Sequence, residues 1–293
     1  MEMLKSKLDA SVNFIIKEGV GYYEARYVRR RPDYLVCYLS AQSGCRMACR
    51  FCHLTATKQN IVVDASNEKI VEQANHVLEY YDSLENSAKV IHFSWMARGE
   101  YLENKIIDWY TLAQELGYKA QARKLFPRYT ISTIIPRSVK GKKLNDLFPL
   151  IYPDIYYSIY SMNPVFRRKW LPNSLSAEEG LDMLAEWQNY TKKIPKLHWA
   201  FIQKENDSSD DISKITKEIK NRGLRVDFNI VRYNPYSSEL GKESDENQIN
   251  SLVLLLQNGL PDSKIKIVSR VGPDIFASCG MFISDAYKIE HGP

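Results

Sequence analysis

The sequence predicts an α/β fold, a partial (β/α)6 barrel. Six runs rich in β-branched and aromatic residues recur along the chain, and amphipathic helical patterns separate most of them. Such alternation builds βα units, whose right-handed crossovers give a parallel sheet that curls on itself. A cysteine-rich loop follows the first run directly, where a barrel carries its chemistry, at the C-terminal strand ends. Residues 1–33 are read as a short N-terminal helix and hairpin. Residues 34–293 are read as the barrel with a C-terminal extension carrying Cys279, a single catalytic domain overall.

The strands are YLVCYLS from Tyr34, VIHFSWM from Val90, YTISTII from Tyr129, IYYSIY from Ile155, LHWAFI from Leu197 and VDFNIVRY from Val226. Between them, Ile70, Val71, Ala74, Val77, Leu78 and Tyr81 share one helical face. Ser176 and Glu179 stand at the spacing of a capping box. Ile212, Ile215 and Ile219 keep helical phase up to Gly223. A last helix runs from Ser244, with Ile249, Leu252, Val253 and Leu256 in phase, to Gly259.

The 293 residues are 44% hydrophobic and 26% charged, an ordinary globular balance. No apolar run reaches the roughly 18 residues of a membrane span. The first residues lack the apolar core of a signal peptide. These features predict a cytoplasmic protein without a membrane segment, and a monomer. The net charge of +5 gathers in local basic clusters: Arg26 to Arg31, Arg123 to Arg128, Arg137 to Lys143 and Arg167 to Lys169. Such clusters suit phosphates, although each alone is more often a solvated face.

Three of the five cysteines, Cys45, Cys49 and Cys52, fall within eight residues. A structural zinc site asks for four ligands, usually from paired knuckles, and no second C-x2-C is present. A plant-type ferredoxin asks for a fourth cysteine at another spacing. A cubane held by three thiolates leaves one iron open to a substrate or cofactor. Buried structural thiols are the bland alternative, and an Arg-rich loop suits them poorly.

C-x3-C-x2-C with Phe51 before the last cysteine is the signature of the radical S-adenosylmethionine superfamily. From about residue 20 the chain resembles one branch, the RlmN/Cfr-like RNA adenosine methyl synthases, without their N-terminal accessory domain. SAQSGCRMACRFC resembles that family's cluster loop, which implies a 4Fe–4S cluster on Cys45, Cys49 and Cys52, with S-adenosylmethionine on the open iron. HFSWMARGEYLEN resembles its Gly-Glu motif, which implies that Gly99 and Glu100 hold the cofactor's ammonium, although Tyr101 replaces the family's proline. Ser132 in TIST, the stretch Ser158, Ile159 and Tyr160 in YYSIYSMN, and Asn234 in RYNPYSS are the remaining implied cofactor contacts. Tyr160 stands where the family has histidine.

GPDIFASCGMF resembles the family's C-terminal motif and places Cys279 on the cysteine that the family methylates. Cys37 matches the second family cysteine with one extra residue before the cluster loop. A β-bulge absorbs that residue; without one, Cys37 faces the other side of its strand. Glu24, thirteen residues earlier, matches a glutamate proposed as proton acceptor. The resemblance implies a cycle. The Cys279 thiolate takes a methyl group, a radical removes one of its hydrogens, and the carbon adds to adenine. One electron leaves and a base takes the ring proton, and the second cysteine then attacks the bridging sulfur.

The implied function is methylation of an adenine carbon in RNA, ribosomal or tRNA-like, with an external one-electron reductant such as flavodoxin. The 19 tyrosines add aromatic faces for splayed bases. Two other readings stay open: a radical enzyme acting on a peptide or small metabolite, and an iron–sulfur RNA-binding or regulatory protein.

Overall fold

The computed structural model describes residues 1–84 and 87–284. Its ten strands form one sheet in chain order. They are β1 (Glu2–Lys5), β2 (Val12–Glu18), β3 (Gly21–Arg31), β4 (Tyr34–Tyr38), β5 (Val90–Trp95), β6 (Phe126–Thr133), β7 (Asp154–Ser158), β8 (Lys196–Trp199), β9 (Asp227–Val231) and β10 (Ile265–Val268). The pairs from β1 to β4 are antiparallel. Those from β4 to β10 are parallel. The helices are α1 (His53–Ala56), α2 (Asn67–Asp82), α3 (Trp109–Gln121), α4 (Leu144–Leu147), α5 (Pro164–Trp170), α6 (Ala177–Thr191), α7 (Ser209–Asn221) and α8 (Glu246–Gly259).

The six predicted strands are β4 to β9, and the predicted helices are α2, α6, α7 and α8. The capping box at Ser176 and Glu179 forms in both directions. Several elements lie outside the predicted set, among them α3 and β10. Helix α3 starts on Asp108, whose carboxylate accepts from the Thr111 N–H. Strand β10 is four residues with a charged Lys266 inside it, too short for a clear alternation signal.

The N-terminal helix is not present; residues 2–31 hold the three strands β1 to β3 and their connections. Val12, Phe14 and Ile16 pack into the main core while Asn13 and Ile15 face the other side, a period of two that only a strand presents. A two-residue connection at Gly19 and Val20 joins β2 to β3. Gly19 takes φ 55°, the left-handed value that such tight hairpins require.

Alternation divides the parallel strands cleanly. Leu35, Ile91, Phe93, Ile131, Ile155, Tyr157, Leu197 and Phe228 enter the main core with α2, α3 and α6 to α8. Tyr38, His92, Ser94, Thr130, Tyr156, His198 and Asn229 face inward and line a cavity of about 390 Å³. No helix among the described residues is long and apolar enough to cross a membrane.

Candidate active site

The chain leaves β4 into the cysteine loop, and buried polar contacts shape that exit. The Gln73 amide, from α2, brackets Ser40, accepting from its N–H at 2.8 Å and donating to its carbonyl at 3.1 Å. Gly44 lies so close to the returning segment that a Cβ there would sit 2.3 Å from the Ile61 carbonyl oxygen. Only glycine allows that approach. The Cys45 N–H donates to the Gln59 carbonyl at 3.0 Å, and Cys52 opens α1.

The three thiols sit in a small apolar cluster with Met47, Phe51, Ile134, Tyr160 and Tyr233. Burial pushes Cys45 up to about 12 and Cys52 to about 11, and holds Cys49 well above its ordinary value. Neighbouring thiolates add to the rise at Cys45 and Cys49. Thiols crowded in this way stay protonated until a cation compensates them, which is the behaviour of a metal-binding donor set. Among the described residues no three His, Cys, Asp or Glu side chains converge on a single metal ion. A cubane makes no such demand, because each thiolate binds its own iron. The donor set fits a cluster, which Cys45, Cys49 and Cys52 would hold.

The candidate cofactor residues divide into two groups. Gly99, at φ 87°, packs against Gln42, where a Cβ would lie 2.6 Å away. Its neighbour Glu100 is buried, and its carboxylate accepts from the Leu102 and Ile134 N–H groups at 3.2 and 3.1 Å. Burial pushes this carboxyl up to about 7, against the lowering effect of those bonds and of Thr133. Ser132, one residue before the end of β6, carries a buried hydroxyl that has no partner. Ser158 closes β7, which pairs with β6 in a register that sets Ser132 opposite Tyr156. A buried carboxylate suited to an ammonium, with an unpartnered hydroxyl on the same side of the barrel, fits S-adenosylmethionine.

Ile159 departs from the expectation of a cofactor-lining residue. Its side chain is fully buried in the main core, and its carbonyl accepts from Arg167 Nη1 at 2.5 Å. Tyr160 adopts φ 57° and stacks on Phe51 with ring centres 4.6 Å apart. Its hydroxyl lies near the Cys279 thiol and favours its ionised form. Asn234 donates to the Cys279 carbonyl at 3.0 Å and accepts from Arg270 Nε at 2.7 Å. Tyr160 and Asn234 thus hold Cys279.

Cys279 stands at the cluster loop. The His53 N–H donates to the Gly280 carbonyl at 2.9 Å. Burial raises the Cys279 thiol, while Arg26 and Tyr160 lower it. Cys279 also lines the inner cavity, whose other lining includes Arg26, Arg30, Arg128, Lys196, Arg232 and Arg270, with Asp33 the one acid among the described residues. Of the candidate cofactor contacts only Asn234 reaches that cavity. The cavity is therefore the space beneath Cys279, apart from Glu100, Ser132 and Ser158.

Cys37 is not brought to Cys279. It is fully buried in the main core, paired with Phe93 and Tyr27, while its neighbours Val36 and Tyr38 line the cavity. The sheet does contain a bulge, but it lies in β3 between Val28 and Arg31. That bulge precedes Cys37, whereas the extra residue lies between Cys37 and the cluster loop, so nothing rotates Cys37 inward. Burial pushes its thiol far above the ordinary value.

Glu24 is also not the free proton acceptor expected. It is fully buried, and its oxygens take four donors: Asn13 Nδ2 and Arg26 Nη2 at 2.9 Å, Arg98 Nη1 at 3.0 Å and the Ile283 N–H at 3.1 Å. Arg26 and Arg98 were absent from the expected site. The alternation of YYEARYV placed Glu24 and Arg26 on one strand face, a signal masked by the basic run that follows.

The sequence matches no protein-family model. It is similar to a probable dual-specificity RNA methyltransferase RlmN of Clostridium botulinum, 25% identical over 95% of this chain and 77% of that protein. A dual-specificity RNA methyltransferase RlmN of Francisella tularensis is 26% identical over 96% of this chain and 75% of its own length. Among solved structures, a radical SAM methyltransferase from Sphaerobacter thermophilus superposes with a TM-score of 0.79 at 17% identity, covering 96% of this chain and 80% of that one. The chain is thus similar to RlmN methyltransferases over nearly its whole length, and its fold is that of a radical S-adenosylmethionine methyltransferase.

Proposed function

We propose that this protein is a radical S-adenosylmethionine methyltransferase that places a methyl group on an adenine carbon in RNA, with Cys279 as the methyl carrier. One observation carries the reading: the cysteine of the C-terminal loop lies beside the three-cysteine loop, tied to it through His53 and Gly280 and through Tyr160. Ordinary methyl transfer needs no such pairing. The near full-length similarity to RlmN proteins supports the substrate class, as does the cationic lining of the cavity beneath Cys279.

A 4Fe–4S cluster with S-adenosylmethionine, when bound, supplies a 5′-deoxyadenosyl radical able to remove hydrogen from a methyl group. The chain's residues do the rest. Cys45, Cys49 and Cys52 hold the metal. Glu100 pairs with the cofactor's ammonium in a site too dry for water to compete. Burial raises the Cys279 thiol, and Arg26 and the Tyr160 hydroxyl offset part of that rise, toward the thiolate that accepts a methyl.

Cys37 takes no part. A thioether between Cys279 and the substrate is released by a thiol from outside the chain. The external thiolate attacks the Cys279 sulfur and an S–S bond forms. The S–C electron pair passes to the bridging methylene carbon, which takes a proton and becomes the substrate's methyl group. A second external thiol reduces the mixed disulfide. With Glu24 fully engaged, the ring proton goes to a base other than that carboxylate.

The test is isotopic. With methyl-deuterated S-adenosylmethionine, the radical route exchanges one deuterium of the transferred methyl for hydrogen. A product methyl that keeps all its deuterium rejects the mechanism. The anaerobic protein should also contain about four irons per chain, and zinc in their place rejects the cluster.

A further inference from the structure

The segment that carries Cys279 has almost no regular structure. Between the end of β10 and Ser284 it forms one short turn, Pro273–Ile275. Its buried backbone groups need partners all the same. Side chains supply them at alternate residues on both sides of Cys279. The Ile275 carbonyl accepts from Asn13 Nδ2 at 3.3 Å, the Ala277 carbonyl from Arg26 Nη1 at 3.0 Å and the Met281 carbonyl from Arg26 Nη2 at 2.8 Å. The Ile283 N–H donates to Glu24 Oε1 at 3.1 Å.

One guanidinium therefore spans the cysteine, taking the carbonyl two residues before it and the carbonyl two residues after it. A planar fork fixes the spacing of two acceptors in a way that a single ammonium does not. Glu24 holds the fork from behind through Arg26 Nη2 at 2.9 Å, and the side chains of both residues are almost wholly buried. Glu24 also accepts from Arg98, the residue before Gly99 and Glu100. The same carboxylate thus joins the loop of the candidate cofactor carboxylate to the loop of the candidate methyl carrier.

We propose that Arg26, oriented by Glu24, is the positioning residue of the Cys279 loop, and that this pair from the N-terminal hairpin sets the sulfur beside the cluster loop. The inference rests on the methyl-carrier reading for what Cys279 does, and not for how it is held.

Arg26→Gln removes the fork and leaves Glu24 and Arg98 as a balanced pair, so the barrel should fold. Hydrogen exchange on the metal-free chain should then quicken about tenfold or more for amides of residues 275–284, with β5 and β6 unchanged. Cys279, followed by peptide mapping, should react with iodoacetamide faster by a similar factor. Arg26→Lys keeps the charge but lacks the fork and should behave like Arg26→Gln; it carries the test alone if the Gln variant does not fold. Unchanged exchange and alkylation in both variants overturn the proposal, and so does full rescue by lysine. On the cluster-loaded protein, both variants should lose methyl on Cys279 while binding S-adenosylmethionine normally. Methyl absent from Cys279 in the unaltered chain, with the exchange and alkylation results as expected, rejects the methyl-carrier reading and leaves the clamp standing.

Discussion

The His53 N–H donates to the Gly280 carbonyl at 2.9 Å, so the residue after the third cluster cysteine is bonded to the residue after Cys279. Two loops more than 200 residues apart in sequence thereby meet in a fixed register. Phe51 stacked on Tyr160, with the Tyr160 hydroxyl near the Cys279 thiol, closes the same contact from the other side.

Gly280 is the weak point of that register. It adopts φ 78°, although a Cβ there would meet nothing closer than the Phe51 carbonyl oxygen at 3.6 Å. Space is not the constraint; backbone strain is. Gly280→Ala should cost about 1–2 kcal/mol, the price of a left-handed alanine. The denaturation midpoint checks the cost, and peptide mapping of Cys279 should find less methyl. A variant as stable as the parent would mean that the loop relaxes without its left-handed turn.

Glu100 makes cofactor binding depend on pH. Its carboxyl lies near 7 in the folded chain, above its ordinary 4.5, because burial penalises the charge. The sign follows: the folded state holds this proton more tightly than the unfolded chain, so the group withdraws stability as pH rises from about 4.5 through 7. Binding moves the opposite way, because only the carboxylate pairs with an ammonium. Affinity for S-adenosylmethionine should rise from pH 6 to pH 8. Glu100→Gln should flatten that rise and weaken binding by about 1.5–3 kcal/mol, the scale of a charge-assisted hydrogen bond. Titration calorimetry at several pH values checks both. A wild-type affinity without pH dependence would separate Glu100 from the cofactor.

What the sequence discloses follows the range of the interactions. The capping box at Ser176 is visible because both partners sit within one helical turn. The strands β4 to β9 are visible because each carries its own alternation. The role of Glu24 is hidden because its partners lie far off: Arg98 is 74 residues away and Ile283 is 259. Read beside its neighbours alone, Glu24 is a lone carboxylate among cations; in the fold it is a saturated one. The N-terminal helix fails for a related reason. Glu2–Lys5 is too short to show a period, and its pairing with β2 decides it. Ile159 shows the limit of motif matching, since its place in the motif says nothing about which way its side chain turns.

Cys37 tests whether the chain works with a single thiol at its site. The residue lies on the core face of β4, between Tyr27 and Phe93, and Tyr38 takes the place on the cavity face. Its thiol has no route to Cys279 without a turn of the whole strand, which would also drive Leu35 out of the core. Cys37→Ala should therefore cost only the packing of one buried sulfur, about 1 kcal/mol. Turnover in the presence of an external thiol should stay at the parent rate, and no protein–RNA adduct should accumulate. With the thiol withheld, parent and variant should stall alike, each with the substrate bonded to Cys279. Mild oxidation of the metal-free chain offers a second reading that needs no turnover. Cys279 should appear in mixed disulfides with added small thiols, and peptide mapping should find no Cys37–Cys279 bridge. An adduct trapped only in Cys37→Ala, or a bridge between these two cysteines, would show that β4 turns over during the reaction and that the second thiol belongs to the site.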